Sequence, residues 1–383
     1  MKQLLQLVTR ATQQDIDWPG LEAALSAFVR PMSQTEQPAL YHGEGDVWTH
    51  TKMVCQQLVK LDGFGQLEQT AREAVFLAAL LHDIGKPATT RWEDGRWTSP
   101  NHAPTGARLA RQFLWEAFSG PEEKRQFRET VCLLIRYHST PPHTIDDPNG
   151  SRRLRSIAAN GSLCPMFTVE LLCLLSQADA LGRVSVDRQQ MLEQVQLCRE
   201  LARESGCLTG PYPFPSDYTR FAYLSGRQVP PEVALFDDTW GTVYLLSGLP
   251  GTGKDTWIRE HLLDVPMVSL DEIRGELGIS PKEKQGPVAE EGQRRAKALL
   301  RERRPFVWNA TNLTPATRQK LVGLFADYGA AVQLVYLETE ESQRRQRNAD
   351  RSRMVPEQAV ARMLEQLTPP EAKEAHQVLW VSV

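Results

Sequence analysis

The stretch GLPGTGKDTW, from Gly248 to Trp257, decides how the second half of the chain is interpreted. It matches the phosphate-binding loop pattern G-x-x-x-x-G-K, except that Asp255 stands where Ser or Thr normally follows the lysine, and Thr256 comes one place late. Its glycines allow close approach by phosphate oxygens, and the backbone N–H groups at the start of the following helix face the anion. The residues expected to bind a nucleotide are Gly248, Gly251, Thr252, Gly253, Lys254, Asp255 and Thr256.

The role of Asp255 has two interpretations. Its carboxylate could hold Mg²⁺ through a water, with Thr256 assisting, because carboxylates are good ligands for hard cations. Alternatively, Asp255 caps the helix and the metal is held elsewhere. Lys254 is expected to reach the β- and γ-phosphates in either case.

The chain on either side of the loop indicates two domains. After Gly241, short apolar runs such as TVYLLS, PFVWNAT and AAVQLVYLE alternate with helical runs, which predicts an α/β fold with a parallel sheet covered by helices. Before residue 208, apolar residues recur at helical spacing, which predicts an all-α domain. We expect domains at 1–207 and 241–383, joined by a linker at 208–240 that is rich in proline and aromatic residues.

The next predicted strand distinguishes a kinase from a nucleotide switch. It runs into LDEIR, which places Asp271 at the crevice edge of the sheet, where a carboxylate can accept the proton of an attacking hydroxyl. Asp271 also fits a helix N-cap, and both roles can hold at once. Arg274 can hold an anionic acceptor. Strand FVWNATNL ends in polar groups at the same edge, namely Asn309, Thr311 and Asn312.

An arginine-rich segment, ESQRRQRNADRSRMVP, predicts a lid that stabilises charge on the transferred phosphoryl group. Arg347 and Arg351 are expected to share one helical face at spacing four and to make the lid contacts. The other arginines of the segment are Arg344, Arg345 and Arg353.

These motifs resemble, in order and spacing, the kinase module of 5′-OH polynucleotide kinases of the bacteriophage and bacterial RNA-repair type, over about 241–383. The resemblance implies transfer of the γ-phosphate of ATP or another NTP, with Mg²⁺, to a 5′-OH RNA or DNA end. It implies Lys254 as the phosphate lysine, Asp271 as the general base, Arg274 as the acceptor clamp, and Arg347 and Arg351 as lid contacts. Two positions depart from the phage-like pattern. Asp255 replaces Ser or Thr, and Asn309 stands where some relatives have Asp.

The first half carries a set of histidines and aspartates around the dipeptide His82-Asp83 in AALLHDIGKP. His with Asp suits Mn²⁺, Fe, Co²⁺, Ni²⁺ or Zn²⁺ better than Ca²⁺. The further candidates each lie on or beside a predicted helix. They are His50, His102, His138 and Asp179, with His143 as an alternative to His138.

This set resembles the HD phosphohydrolase superfamily over about 38–185, and YHGEGDVWTHT is especially similar to HD domains attached to some tRNA nucleotidyltransferases. The resemblance implies that one metal is held by His50, His82, Asp83 and Asp179, and that His102 and His138 complete a second site bridged by Asp83. A divalent transition metal would activate a water for attack on phosphorus. Lys86 would hold the substrate phosphate.

The order of the two modules resembles the HD-Pnk family of bifunctional bacterial end-healing enzymes. That family implies removal of 2′,3′-cyclic phosphate or 2′- or 3′-phosphate from one nucleic-acid end, phosphorylation of the other, and a functional link to a nucleic-acid ligase. One alternative is an HD nucleotide or cyclic-dinucleotide phosphohydrolase fused to a small-metabolite kinase. A non-catalytic nucleotide sensor is a third hypothesis, and Asp255 is its only support.

Composition agrees with a cytoplasmic enzyme. The net charge is −3, so attraction to nucleic acid has to come from local basic patches. No secretory signal is recognisable, and the apolar runs are far too short to cross a bilayer. The six cysteines form no C-x-x-C pair and are expected to be buried reduced thiols.

Overall fold

The computed structural model describes residues 1–38, 40–280, 283–351 and 354–383, and it divides into two compact units. The first unit contains residues 1–118 and 123–212, and the second contains residues 119–122 and 213–383. Most of the segment for which the sequence predicts a linker therefore groups with the second unit, and Asp217–Leu224 within it forms a helix.

The first unit consists mainly of helices. They are α1 (Lys2–Ala11), α2 (Trp18–Ala24), α3 (Ser26–Ser33), α4 (Val47–Leu58), α5 (Asp62–Gly65), α6 (Gln69–Leu81), α7 (Lys86–Thr89), α8 (His102–Phe118), α9 (Glu122–Tyr137), α10 (Gly150–Ala158), α11 (Val169–Leu181) and α12 (Arg188–Glu204). Short 3₁₀ turns lie at Pro141–His143 and Ala159–Ser162. The predicted helical fold class of this half is confirmed.

Helix α6 forms the centre of the first unit. Every residue from Ala74 to Leu81 is buried, because this part of the helix is apolar on all sides. It packs against α1, α4 and α11. The His82-Asp83 dipeptide follows directly, so the packing of the core fixes the position of both side chains.

One element of the first unit was not predicted from the sequence. Strands β1 (Arg91–Glu93) and β2 (Arg96–Thr98) form an antiparallel hairpin. Its two-residue turn is Asp94-Gly95, with φ of 50° and 75°. Asp-Gly is a strong hairpin signal, but strands of three residues are too short to show in a pattern of alternating residues.

The second unit is an α/β domain, and the predicted alternation of strands and helices is confirmed. Its strands are β3 (Thr242–Ser247), β4 (Met267–Ser269), β5 (Phe306–Asn309), β6 (Ala331–Glu338) and β7 (Gln377–Ser382). Its helices are α13 (Asp217–Leu224), α14 (Lys254–His261), α15 (Leu270–Glu276), α16 (Gly286–Arg301), α17 (Pro315–Asp327), α18 (Glu341–Ala349) and α19 (Glu357–Gln366).

The five strands form one parallel sheet in the order β4-β5-β3-β6-β7. Strand β3 is central and buried on both faces, since Val243 and Leu245 pack into one apolar cluster and Leu246 into another. The phosphate loop therefore leaves the middle of the sheet at the carboxyl ends of the strands, where open α/β sheets bind ligands.

All six cysteines are buried free thiols. Within the described ranges, no helix is both long enough and apolar enough to cross a lipid bilayer.

Candidate metal centre and nucleotide site

The first unit gathers the other five predicted metal ligands around Asp83, although most of them are far apart in the sequence. His50 lies within α4, Asp179 within α11, and His82-Asp83 directly after α6. His102 begins α8, and His138 follows the end of α9. All except the half-buried His102 are buried.

The two carboxylate oxygens of Asp83 face different histidine pairs. Oδ2 lies 3.1 Å from His82 Nε2 and 3.9 Å from His50 Nε2. Oδ1 lies 3.6 Å from His102 Nε2 and 3.9 Å from His138 Nε2. These contacts define two ligand groups with Asp83 in common, which is the division that the family resemblance implies.

Asp179 belongs with the first of these groups. Its Oδ1 lies 2.9 Å from His50 Nε2. Its other oxygen pairs with Arg183 at 2.9 Å, which fixes the rotation of the carboxylate.

Backbone carbonyls fix the histidine rings in the form that binds metal. In three of the rings, Nδ1 lies within hydrogen-bond distance of a carbonyl oxygen, which can only accept, so Nδ1 carries a proton and Nε2 is the nitrogen left to bind a metal. The bonds are His82 to Ala79 at 2.8 Å, His102 to Ser99 at 2.8 Å, and His138 to Ile135 at 2.7 Å.

Two atoms at the centre of the cluster are buried without a hydrogen-bond partner among the described residues. They are His82 Nε2 and Asp83 Oδ1. An unpaired buried polar atom is costly, and a divalent cation between these ligands would satisfy both atoms. The residues present therefore fit a metal.

Protonation differs among the groups of the cluster: burial lowers the pKa of His82 but Asp83 outweighs it and raises that pKa, so a metal bound here would displace a proton from this ring. Burial, followed by the nearby His82 and His102, lowers the pKa of His138 to about 3, so this ring is neutral. Burial opposes ionisation of Asp83, but His82 and Lys86 outweigh it and hold the pKa of this carboxyl well below its usual value. Neutral imidazole and ionised carboxylate are the forms that bind metals.

Gly85 brings the start of α8 onto this cluster. A Cβ at this position would lie 2.1 Å from the carbonyl oxygen of His102 and 2.6 Å from the backbone nitrogen of Gly106. Only glycine permits this approach, which carries His102 towards Asp83.

Sequence reasoning did not identify two outer residues of the cluster, Glu44 and Arg183. Glu44 Oε1 lies 2.8 Å from Nδ1 of His50 and 2.8 Å from Nδ1 of His42, so it orients a predicted ligand. The four-residue spacing of Asp179 and Arg183 could have indicated their ion pair. Glu44 had no comparable signal, because its partner His50 lies on a helix that begins only at Val47.

The Lys86 side chain is buried beside the predicted metal ligands. Its Nζ is 2.8 Å from Asp83 Oδ2 and donates to Gln37 Oε1 at 2.7 Å. Its role in holding a substrate phosphate remains a prediction. His143, the alternative to His138, is solvent exposed.

In the second unit, the phosphate loop has the expected backbone. Gly248, Gly251 and Gly253 have φ of 145°, 86° and 86°, and a Cβ at Gly248 would lie 2.6 Å from the carbonyl oxygen of Leu337. The loop then enters α14 at Lys254, so that backbone N–H groups and the positive end of the helix dipole are available to an anion.

Lys254 lies folded over the loop. Its Nζ donates to the carbonyl oxygens of Gly248 at 3.0 Å and Leu249 at 2.9 Å, and burial lowers its pKa to about 8. Thr252 also stabilises the loop, since its buried hydroxyl donates to Leu249 at 2.9 Å. Thr256 is exposed and accepts a hydrogen bond from Arg259.

The two positions that depart from the phage-like pattern contact each other. Asn309 Nδ2 donates to Asp255 Oδ1 at 2.8 Å. Asn309 ends β5, the neighbour of β3. Asn312 has a different role, because its side chain donates to the backbone of Leu246 and is buried.

Asp271 lies in the first turn of α15, and Ser269 is the N-cap of that helix. The alternative role of Asp271 as the N-cap is therefore wrong. The Asp271 side chain is 69% exposed, forms an ion pair with Arg274 and lies 3.8 Å from Arg351 Nη2. It lines a cavity of about 510 Å³ together with Asp255, Arg259, Asn309 and Arg351. A carboxylate with this exposure is accessible to an acceptor hydroxyl.

The expected arrangement of the lid arginines is wrong in one respect. Helix α18 ends at Ala349, so Arg351 follows the helix and shares no helical face with Arg347. Arg347 Nη1 lies 3.4 Å from the position that a Cβ on Gly253 would occupy, and is thus beside the loop.

Two other arginines of this segment have structural roles. Arg344 is buried and pairs with Glu341 at 2.8 Å and Glu357 at 2.9 Å, and Arg345 pairs with Glu341 at 2.9 Å. Arg353 lies outside the described residues.

Comparison with known proteins agrees with this division of the chain. A family model for the HD domain matches residues 47–183, and one for the AAA domain matches residues 243–370. The multifunctional CCA protein of Hahella chejuensis (strain KCTC 2396) is 28% identical over 154 residues, which is 40% of this chain and 33% of that protein. The aligned region thus spans about a third of the relative's length. The chain combines an HD domain with a kinase-like P-loop domain. This combination supports an enzyme that processes nucleotides.

Proposed function

We propose that the chain is a bifunctional nucleic-acid end-repair enzyme. The HD domain would remove a 2′,3′-cyclic phosphate or a 2′- or 3′-phosphate from one end. The P-loop domain would transfer the γ-phosphate of ATP or another NTP to a 5′-OH end. The observation that carries the proposal is the presence in one chain of a buried His/Asp cluster sharing Asp83 and a phosphate loop beside an open acceptor cavity.

In the HD domain, the first metal would be held by His50, His82, Asp83 and Asp179, and a second by His102 and His138 with Asp83 in common. A bound divalent metal supplies Lewis acidity and activates a water for attack on phosphorus. Glu44 and the three backbone carbonyls keep the imidazoles oriented. Lys86 neutralises charge beside Asp83 and is close enough to contact a phosphate bound at the cluster.

In the kinase domain, the loop N–H groups and Lys254 would bind the β- and γ-phosphates. Asp271 would accept the proton of the attacking 5′-hydroxyl, and Arg274 would contact the acceptor strand. Arg347 and Arg351 would stabilise the negative charge that develops on the transferred group.

Mg²⁺ in this domain would be held by Asp255, oriented by Asn309. In most P-loop enzymes a Ser or Thr after the lysine and an Asp on a neighbouring strand hold the metal. Here the carboxylate and the neutral side chain have exchanged places across the 2.8 Å hydrogen bond, so one negative charge is retained. This supports a functional loop more than a degenerate one.

The joint chemistry favours a polynucleotide over two unrelated small molecules. A ligase requires a 3′-OH and a 5′-phosphate, and the two domains would supply one each. The kinase cavity is lined by the exposed Arg259 and the half-buried Arg351, which suits a bulky anionic acceptor.

The test is to incubate a single-stranded RNA bearing 5′-OH and 2′,3′-cyclic phosphate ends with ATP, Mg²⁺ and each candidate transition metal, and to analyse both ends. Small hydroxyl acceptors and a cyclic dinucleotide serve as parallel substrates. We expect both RNA ends to be converted. Turnover of the small substrates alone would favour the alternative of a metabolite kinase fused to a nucleotide hydrolase, and ATP binding without turnover of any substrate would favour a sensor.

A further inference from the structure

A small hairpin separates two groups of predicted metal ligands in the HD unit. This tryptophan hairpin (Arg91–Thr98) lies between α7, which begins three residues after Asp83, and His102 at the start of α8. The hydroxyls of Thr90 and Ser99 lie 2.8 Å apart and close its base. The carbonyl of Ser99 accepts the hydrogen bond from His102 Nδ1, so the hairpin base is one hydrogen bond away from a predicted ligand.

The hairpin presents an aromatic face. Trp92 is directly opposite Trp97 in the antiparallel register, and such cross-strand pairs project from the same face. Their ring centroids are 5.2 Å apart at an interplanar angle of 76°. Trp92 is nevertheless 60% exposed. On the other face, Arg91 forms an ion pair with Glu93 at 2.9 Å, and Glu93 lies opposite Arg96, so the aromatic face is the feature that distinguishes the hairpin.

A connection between α7 and α8 does not require an exposed tryptophan. A two-stranded hairpin is marginal by itself, and the contact between the tryptophans stabilises it while leaving most of Trp92 in water. A large, accessible aromatic side chain on a hairpin that leads into the helix carrying His102 can stack on a base, since every base offers a π face.

We propose that the tryptophan hairpin binds single-stranded nucleic acid and that Trp92 stacks on a base close to the terminal phosphate held at the metal cluster. The inference rests on the proposed function and adds to it a binding site for the nucleotides next to the reacting end. Thr98 precedes His102 by four residues, so their Cα atoms are at most about 14 Å apart. Stacking is tolerant of sequence, which suits an enzyme that acts on ends of any sequence.

The test compares a long substrate with a short one. A single-stranded RNA with a 3′-phosphate can extend to the hairpin, whereas p-nitrophenyl phosphate occupies the metal cluster alone. Trp92→Ala should raise KM for the RNA between about fivefold and a hundredfold, the range expected for losing one base–aromatic stack. It should leave kcat for the RNA and all parameters for p-nitrophenyl phosphate unchanged.

Two further variants control this result. Trp92→Tyr keeps an aromatic ring and should recover most of the RNA affinity. Phe236→Ala removes an aromatic side chain that is 86% exposed in the second unit and should change neither substrate. An equal rise in KM for both substrates with Trp92→Ala would overturn the proposal, because it would mean that the hairpin shapes the cluster.

The proposed function and the hairpin can fail separately. If the wild-type chain hydrolyses no 3′ end, the proposed function is wrong, and fluorescence anisotropy with a labelled single-stranded RNA still tests the hairpin. Equal RNA affinity of the wild type and Trp92→Ala in that measurement would overturn the inference, and would leave a protein partner as the occupant of this face.

Discussion

The His/Asp cluster of the HD domain and the phosphate loop of the kinase-like domain are built in opposite ways. The cluster draws its ligands from segments as far apart as His50 and Asp179 and buries most of them. The loop is one continuous run, from Gly248 to Thr256, beside an open cavity. The cluster depends on helix packing and the loop on local backbone conformation, so mutations should impair the two sites in different ways.

The largest expected effect separates the two sites completely. Asp83→Asn keeps the shape of the side chain but removes the negative charge that both ligand groups share. Loss of a residue that only orients a ligand costs roughly 10- to 100-fold in metal affinity or activity. Asp83→Asn should therefore lower transition-metal binding and 3′-end hydrolysis by more than that. Lys254→Ala should reduce 5′-phosphorylation by about 10²- to 10³-fold. Metal content by elemental analysis and an assay of both RNA ends measure these losses.

Each of these two variants is the control for the other. Lys254→Ala should retain metal and 3′-end hydrolysis, and Asp83→Asn should retain 5′-phosphorylation. Full metal content in Asp83→Asn would contradict the assignment of the cluster.

A smaller effect tests whether packing determines the cluster. Gly85→Ala would bring a Cβ against the backbone of His102 and Gly106, neither of which can move without shifting α8. We expect a loss of about 1–3 kcal/mol in the free energy of unfolding and weaker metal binding, measured by denaturant titration and metal titration. Gly65→Ala is the matched control, because its Cβ would meet nothing within 4 Å. If both variants bound metal equally well, the close approach at Gly85 would have no role in the site.

The contact between Asp255 and Asn309 predicts that substitutions at these two positions compensate each other. Asp255→Ser or Asn309→Asp alone should lower the kinase rate by about tenfold, because the first removes the local carboxylate and the second places two carboxylates in contact. The double variant restores the usual arrangement and should recover most of the rate, with a coupling energy of about 0.5–3 kcal/mol. The rate is measured against Mg²⁺ concentration, and additive losses would show that the two positions act independently.

The smallest effect is a pH dependence of the loop. Burial disfavours the charged form of Lys254 and lowers its pKa to about 8, so the free protein loses this charge as the pH rises through that value. Affinity for ATP should then fall about threefold between about pH 7.5 and 8.5 by proton linkage. Calorimetric titration measures it. Lys254→Arg should flatten the profile, because guanidinium stays charged, and identical slopes in both proteins would exclude Lys254 as the titrating group.

The sequence supported the kinase domain more completely than the HD domain. Strands β3, β5 and β6 coincide with the runs TVYLLS, PFVWNAT and AAVQLVYLE, because a buried parallel strand is a short continuous apolar run. The lid was the exception. The spacing of Arg347 and Arg351 predicts one helical face only if the helix continues, and α18 ends at Ala349 between them.

The sequence by itself determined the two domain types, the glycine loop and the identity of the candidate ligands, since each depends on residue type and local spacing. Tertiary structure decided which oxygen of Asp83 faces which histidine pair, that Glu44 orients His50, and that Asp255 and Asn309 meet. It also left Trp92 exposed on the hairpin that precedes His102. These features are contacts between residues that are distant in the chain, or the exposure of a side chain. No local sequence pattern encodes them, because they arise only when the helices and strands pack.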